Sequence, residues 1–307
     1  MVVVCGEALI DVILDESGNE TEVPGGGPFN TARALGRLGM PVGFLGRLSS
    51  DPSGQMLATL LAADGVDLRL ASIGPEPTTR AIATVGAGGE TRYRFEHEGT
   101  SAPNLSAAML PVQLGHEVDA IHVGTLGLVF EPVASTLVGL IRRDGKNRLV
   151  MVDPNVRTGI VDDGPYRERL LDVIGHATVV KASEADVRWL YPGLSVEEAA
   201  GRMLEHGLGL AVVTLGERGA YGAHRDLGMR VPAPRVRVVD TIGAGDAFGA
   251  GLLAWLYDHD RISASLSLEL EELRAALTYA CRVAALTCAR RGADPPRASD
   301  LVADQGR

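Results

Sequence analysis

The residues with the clearest chemistry are Asp240-Thr241-Ile242-Gly243-Ala244-Gly245-Asp246, followed by the small apolar run Ala247 to Leu256. Gly243 and Gly245 bracket Ala244, so no bulky side chain keeps an anion off the backbone. The apolar run reads as a helix, and the first N–H groups of a helix have no partner within it. Such a terminus, at the positive end of the helix dipole, holds phosphate charge. A carboxylate placed there, Asp246, repels phosphate and is better used as a base toward a substrate hydroxyl. The combination points to phosphoryl transfer to an alcohol. Asp is also a favoured helix N-cap, and the heptapeptide alone leaves the two readings of Asp246 evenly matched.

Two N-terminal stretches could receive the alcohol. Gly25-Gly26-Gly27-Pro28-Phe29-Asn30-Thr31-Ala32 combines glycines, which allow close backbone approach, with Asn30, which both donates to and accepts from a hydroxyl. By itself it could equally be a flexible turn and helix start. No Gly-Lys-Ser/Thr follows, so it is not a P-loop. Asp11 lies among Leu9, Ile10, Val12 and Ile13, where an acid either faces solvent on an edge strand or binds something polar in a cleft. Downstream, polar residues gather after three consecutive strand-like runs: Asp153 to Arg157, Lys181 to Glu184, and Thr214 to Gly219. A shared site at the strand C-terminal ends explains all three together.

Asp240 to Gly251, as Asp-Thr-x-Gly-Ala-Gly-Asp-x-x-x-Ala-Gly, resembles the C-terminal signature of the ribokinase/PfkB carbohydrate kinase family. Gly25 to Ala32 resembles its sugar-binding Gly-Gly-x-x-x-Asn-x-Ala motif, in the family's order and over nearly the whole chain. The resemblance implies one ribokinase-like domain over residues 1–307, a three-layer α/β/α sandwich with a mostly parallel sheet and a small β-sheet lid from about 9–23 and 79–97. It implies ATP-dependent phosphorylation of a sugar hydroxyl with Asp246 as base and the backbone of Gly243, Ala244 and Gly245 as anion hole. Asp11, Gly26, Gly27 and Asn30 are expected to meet the sugar, with Arg94 as a further candidate; Arg92 and His97 read better as a solvated edge. Arg157 has a fork suited to phosphate, Thr214, Gly216 and Gly219 suit the nucleotide, and Glu184 would hold Mg²⁺ through water. Asp240 and the Ile242 carbonyl match a K⁺ site.

Lys181 stands where the family's Asn-x-x-Glu motif begins with Asn, either adding charge near the nucleotide or sitting as a surface lysine at a helix start. That substitution and Asp153-Pro154-Asn155-Val156-Arg157 place the chain on the fructokinase side of the family, and the absence of fixed positive charge around Asp11 and Asn30 suits a neutral hexose such as fructose. 2-Keto-3-deoxygluconate kinase and ribokinase are the alternatives, and a sugar- or nucleotide-binding sensor is the alternative from another class. Ser49 replaces a glycine common in the family, and Cys281 stands where many members have Asn, so no adenine contacts are assigned there.

These residues need a scaffold, and 307 residues with 46% hydrophobic content are enough for a substantial core. Val2 to Cys5 and Val42 to Leu45 read as strands, and from Asp119 onward strand and helix patterns alternate up to Leu215. Such alternation implies right-handed crossovers and a parallel sheet covered on both faces. Ala81 to Val85 and Thr91 to Phe95, separated by Gly86-Ala87-Gly88-Gly89, read as a hairpin. Leu268 to Cys288 reads as a long helix that stops near Gly292, Pro295 and Pro296, and Ala298 to Arg307 as a loosely held tail. A net charge of -10 argues against nucleic acid or an anionic membrane as partner. With no evident secretory signal or membrane-length apolar run, and with Cys5, Cys281 and Cys288 reading as reduced residues, the expected setting is the cytoplasm, as a monomer or a homodimer through the lid. Val4-Cys5-Gly6-Glu7 lacks the Gly-x-Gly-x-x-Gly that a nicotinamide dehydrogenase would need.

Overall fold

The computed structural model describes residues 1–14, 19–85, 91–157, 160 and 163–304. The chain runs β1 (Val2–Cys5), β2 (Leu9–Leu14), β3 (Glu20–Gly25), α1 (Gly27–Arg37), β4 (Val42–Leu45), β5 (Arg47–Ser49), α2 (Pro52–Ala63), β6 (Ser72–Gly74), β7 (Arg80–Val85) and β8 (Thr91–Glu96). It continues through β9 (Ala120–Gly124), α3 (Val133–Asp144), β10 (Leu149–Asp153), α4 (Asp163–Ile174), β11 (Val179–Ser183), α5 (Glu184–Leu190), α6 (Val196–Leu204) and β12 (Leu210–Thr214). Last come β13 (Ala220–His224), β14 (Leu227–Val231), α7 (Ala244–Asp258), α8 (Leu270–Cys288) and α9 (Ala298–Asp304).

The main sheet has eight strands in the order β14-β13-β12-β11-β10-β9-β1-β4, parallel from β12 to β4 and antiparallel at the β13–β14 edge. Its inner strands are apolar throughout because both faces are covered. Val2 and Val4 join the core under α1, α7 and α8, whereas Val3 and Cys5 join the core under α3, α4 and α6. This is the ribokinase-like α/β/α architecture expected from the motifs. A separate four-stranded sheet, β3-β2-β7-β8, pairs β2 with β3 and β7 with β8 in antiparallel fashion, and β2 with β7 in parallel. The turn expected at Gly86 to Gly89 lies outside the described residues. Among the described residues no helix is long and apolar enough to cross a membrane.

Helix α7 carries the signature motif and packs on α8 through its small face. A Cβ added to Gly251 would lie 3.1 Å from Ala280 Cα and from Val283 Cβ, so a larger residue would push the two helices apart. One expectation is corrected at the C-terminus: through Asp304 the tail is a helix. Leu301 is buried, its carbonyl accepts from Arg282, and Asp300 pairs with Arg290 at 2.8 Å, which docks α9 against the body.

Candidate active site

Asp246 lies in the first turn of α7, with Gly243 rather than Asp246 at the N-cap. Gly243 has φ 75°, a left-handed conformation suited to glycine, and makes no side-chain cap. Asp246 therefore turns its carboxylate away from its own helix and toward α1: Asn30 Nδ2 donates to Asp246 Oδ2 at 2.9 Å. Ala244 N–H is taken up by Thr241 C=O at 3.3 Å, and the next N–H groups point out of the helix end. Asp246 is 8% exposed. Burial pushes its carboxyl up to about 6, helped by the charge of Asp153 and opposed by the Asn30 hydrogen bond, Lys181 and Arg157. A carboxyl poised near neutrality beside a helix end with free N–H groups is suited to taking a proton from a hydroxyl.

The two N-terminal stretches converge on this carboxylate. A Cβ added to Gly27 would sit 3.4 Å from Asp246 Oδ1 and collide with Thr125 Oγ1 at 2.5 Å, so the start of α1 lies directly against the Asp246 carboxylate. Gly26 has φ 106° and is the N-cap of α1. In the small sheet, Asp11 on β2 lies against Gly25 of β3, leaving no room there for a side chain. Burial pushes Asp11 up to about 6, while the charge of Arg157 pulls it down. Arg157, exposed on the segment after β10, thus acts electrostatically on both Asp11 and Asp246. Arg94 stands elsewhere: it is 71% exposed and pairs with Glu96 at 2.9 Å. Phe95 of β8 and His97 just after the strand turn inward, His97 stacked on Phe130 at 4.0 Å and Phe95 edge-on to the same ring. His97 is therefore a packed residue and not part of a solvated edge; the side chain of Arg92 lies outside the described residues.

On the other side of the α7 N-terminus is a cavity of about 990 Å³. Thr214, Gly216 and Gly219 line one wall, Thr241, Ala244 and Gly245 the end nearest the base, and Cys281, Ala284, Ala285 and Cys288 of α8 another wall. The small α8 residues give this wall an apolar lining, and the cavity reaches the helix end that would take phosphates. Glu184 opens α5 and pairs with Arg218 at 2.8 Å and Arg188 at 3.5 Å. Asp240 organises the loop before α7: Oδ1 accepts from Ile242 N–H at 3.0 Å and Oδ2 from Gly292 N–H at 2.8 Å. Lys181 does not line the cavity and is no surface lysine. It lies within β11, buried, with Nζ 2.6 Å from Asp153 Oδ2.

Several residues at the site carry no motif signal of their own. Glu7, just beyond β1, accepts from Gly27 N–H at 3.2 Å and Gly127 N–H at 3.0 Å, clamping the glycine turn to the segment after β9. Burial pushes its carboxyl up to about 8, against those two backbone bonds. Asp186 caps α5 through Ser183 and also accepts from Val156 N–H at 2.7 Å, tying the Arg157 segment to the next crossover. An acid one glycine beyond a buried strand, as Glu7 is, is the available signal.

A family model described as pfkB family carbohydrate kinase matches residues 1–300 of the chain. A fructokinase of Rhizobium leguminosarum bv. trifolii is 38% identical over 261 residues, covering 83% of this chain and 79% of its own length. Among solved structures, a fructokinase of Xylella fastidiosa with bound ATP superposes with a TM-score of 0.90 at 25% identity, over 100% of this chain and 99% of that one. A fructokinase of Vibrio cholerae O395 holding fructose, ADP and a calcium ion superposes with a TM-score of 0.83 at 27% identity, over 98% and 97% of the two chains.

Proposed function

The chain belongs to the pfkB family of carbohydrate kinases, and from that premise we propose that it transfers the γ-phosphoryl group of ATP to a hydroxyl of a neutral hexose, fructose first. The observation that carries this reading is the buried Asp246–Asn30 contact, which joins the sugar-side motif to the phosphate-side motif at one carboxylate.

The sugar hydroxyl would lie between Asp246 and the cavity end formed by Ala244 and Gly245. Asp246 takes the hydroxyl proton as the oxygen bonds to the γ-phosphorus, and the bond from that phosphorus to the departing ADP oxygen breaks in line. Charge developing on the transferred group would fall on the α7 N-terminus, with the exposed fork of Arg157 beside it. Asp11, the Gly26–Gly27 backbone and Asn30 would hold the other sugar hydroxyls, and the small β3-β2-β7-β8 sheet would close over them as a lid on a single kinase domain. Thr214, Gly216 and Gly219 would hold the nucleotide. A divalent cation, Mg²⁺ in this reading, would be held by Glu184 through water. Among the described residues no group of three or more carboxylate, histidine or cysteine side chains could hold a metal ion by itself, and phosphate oxygens and water would supply most of its ligands. When bound, it screens phosphate charge.

Arg94, the candidate partner for a sugar carboxylate, is turned outward onto Glu96, and Arg157, whose charge reaches Asp11 and Asp246, serves the transferred phosphoryl group in this reading. A sensor without turnover would need no poised base. The test is ADP release with Mg-ATP across ketoses, aldoses, sugar acids and nucleosides. Fructose should have the highest kcat/KM, and a sugar acid ahead of every neutral sugar would overturn the hexose assignment.

A further inference from the structure

Beneath the first turn of α7 lies an ion pair that the phosphoryl-transfer chemistry does not use directly. Lys181 Nζ of β11 is 2.6 Å from Asp153 Oδ2 of β10, and the two side chains are 5% and 3% exposed. The second oxygen of Asp153 has no hydrogen-bond partner, and neither ring nitrogen of His122, on the adjacent strand β9, has one. A buried ion pair with a bare carboxylate oxygen is a poor stabilising device, because desolvation of both charges is only partly recovered. Its position suggests what it is for. A Cβ added to Gly245 would lie 3.2 Å from Lys181 Nζ, and one on Gly249 would lie 3.9 Å from Lys181 Cδ. The lysine stem therefore runs under α7 and delivers its ammonium against the residue preceding the base.

We infer that Lys181 and Asp153 form a buried charge pair that sets the ionisation of Asp246 from beneath the α7 N-terminus, Lys181 favouring the carboxylate and Asp153 opposing it while holding Lys181 in place. Both are positioning residues, and the inference rests on Asp246 being the base. The groups facing Asp246 from the surrounding elements are Asn30 of α1, Glu7 beyond β1, Asp153 of β10, Arg157 beyond β10 and Lys181 of β11. Glu7 is held up at about 8 and carries little charge near pH 7. Of the rest, Asp153 favours the protonated base, while Lys181, Arg157 and the Asn30 amide favour the ionised one. Lys181 keeps its proton despite burial, because Asp153, then Asp246 and Asp186, more than offset the desolvation.

Changes at the two members should therefore move the base in opposite directions. The experiment is the pH dependence of kcat/KM for the sugar, at saturating Mg-ATP, for the full-length enzyme and the variants Lys181→Met, Lys181→Arg, Asp153→Asn and Lys181→Met/Asp153→Asn. For Lys181→Met the acid-limb midpoint should rise by about 1 pH unit or more, with turnover recovering toward the parent value above it. For Asp153→Asn the midpoint should fall, and the double variant should lie between the two single variants. Lys181→Arg keeps the charge and should keep the midpoint, while the KM for ATP should change little throughout. If Lys181→Met does not fold, Asp153→Asn must still move the midpoint downward. Midpoints that stay at the parent value, or losses equal at every pH, overturn the inference while leaving the kinase reading intact. Absence of sugar-dependent ADP release from the parent enzyme would instead sink the kinase reading.

Discussion

Replacing Asp246 by Asn should make the protein a far poorer catalyst and, near neutral pH, a more stable one. The carboxyl is raised from 3.8 to about 6 in the folded chain, chiefly by burial. For a carboxyl raised on folding, the stability it contributes is present below the unfolded pKa and is lost as pH rises through the folded one. Above about pH 6, then, the native state holds a buried charge it would rather not carry. Each pKa unit corresponds to about 1.4 kcal/mol, so the difference sets a ceiling of about 3 kcal/mol. The amide that replaces the carboxylate also needs partners, and one is at hand. Asn30 Oδ1 is buried and unpartnered, so the new NH₂ can donate to it while Asn30 Nδ2 still donates to the new amide oxygen. After the remaining desolvation of the amide, a gain of about 1–2 kcal/mol at pH 7.5 is expected. Urea unfolding of both proteins from pH 4 to 8 measures it. The advantage should shrink as pH falls below 6 and disappear near pH 4. In parallel kcat should fall by roughly 10²–10⁴ with little change in sugar or ATP binding. A variant that is less stable at pH 7.5, or whose advantage is the same at all pH values, would refute the burial argument. Retained turnover would refute the base.

Glu7 gives a second pH signature: with its carboxyl raised from 4.5 to about 8, the parent protein should lose stability as pH rises from about 4.5 toward 8, and Glu7→Gln should flatten that slope in the same urea titrations; parallel curves would speak against it. Asp11→Ala should raise the sugar KM by roughly tenfold or more, since each hydrogen bond to a charged acceptor contributes about 1.5–3 kcal/mol, while Arg94→Ala should leave it near the parent value. A larger effect at Arg94 would reverse the order and point to a sugar acid. Activity should rise when K⁺ replaces a bulky organic cation, and Asp240→Ala should respond less, because Asp240 orders the Ile242 and Gly292 N–H groups around the anion-hole loop. Equal rates in both salts would exclude a monovalent-cation role.

Much of the scaffold could be read from the chain because its inner strands are buried on both faces. Val2 to Cys5 and Leu149 to Val152 are continuous apolar runs for that reason, and α7 announces itself through Gly243-Ala244-Gly245. What escaped reading has non-local causes. The β13–β14 hairpin contains Gly222, Gly228 and Arg230 and resembles a loop; it is a strand pair only because β12 offers an edge. The three-residue strands β5 and β6 are too short for a period. Helix α9 has little local signal, and Leu301 and Asp300 hold it through partners on and just after α8.

Lys181 shows where a pattern reading must stop and a pairing must be known. Read locally, the strand ends at Val180, because a lysine is almost never fully buried. Yet β11 continues through Lys181 to Ser183, and the lysine side chain shares the sheet face of Val179 beneath α7. It can do so because β10 lies beside β11 and brings Asp153 to the end of the neighbouring strand. Neither residue predicts the other: 28 positions separate them, and α4 intervenes. The same holds for Asn30 and Asp246, 216 positions apart. Residue type made each charged or polar group readable as a candidate, but what the group does depends on which opposite charge the sheet order places against it. That is why a heptapeptide together with a family resemblance could put Asp246 forward as a base, whereas the buried Lys181–Asp153 pair beneath its helix became visible only with the register of β10 and β11.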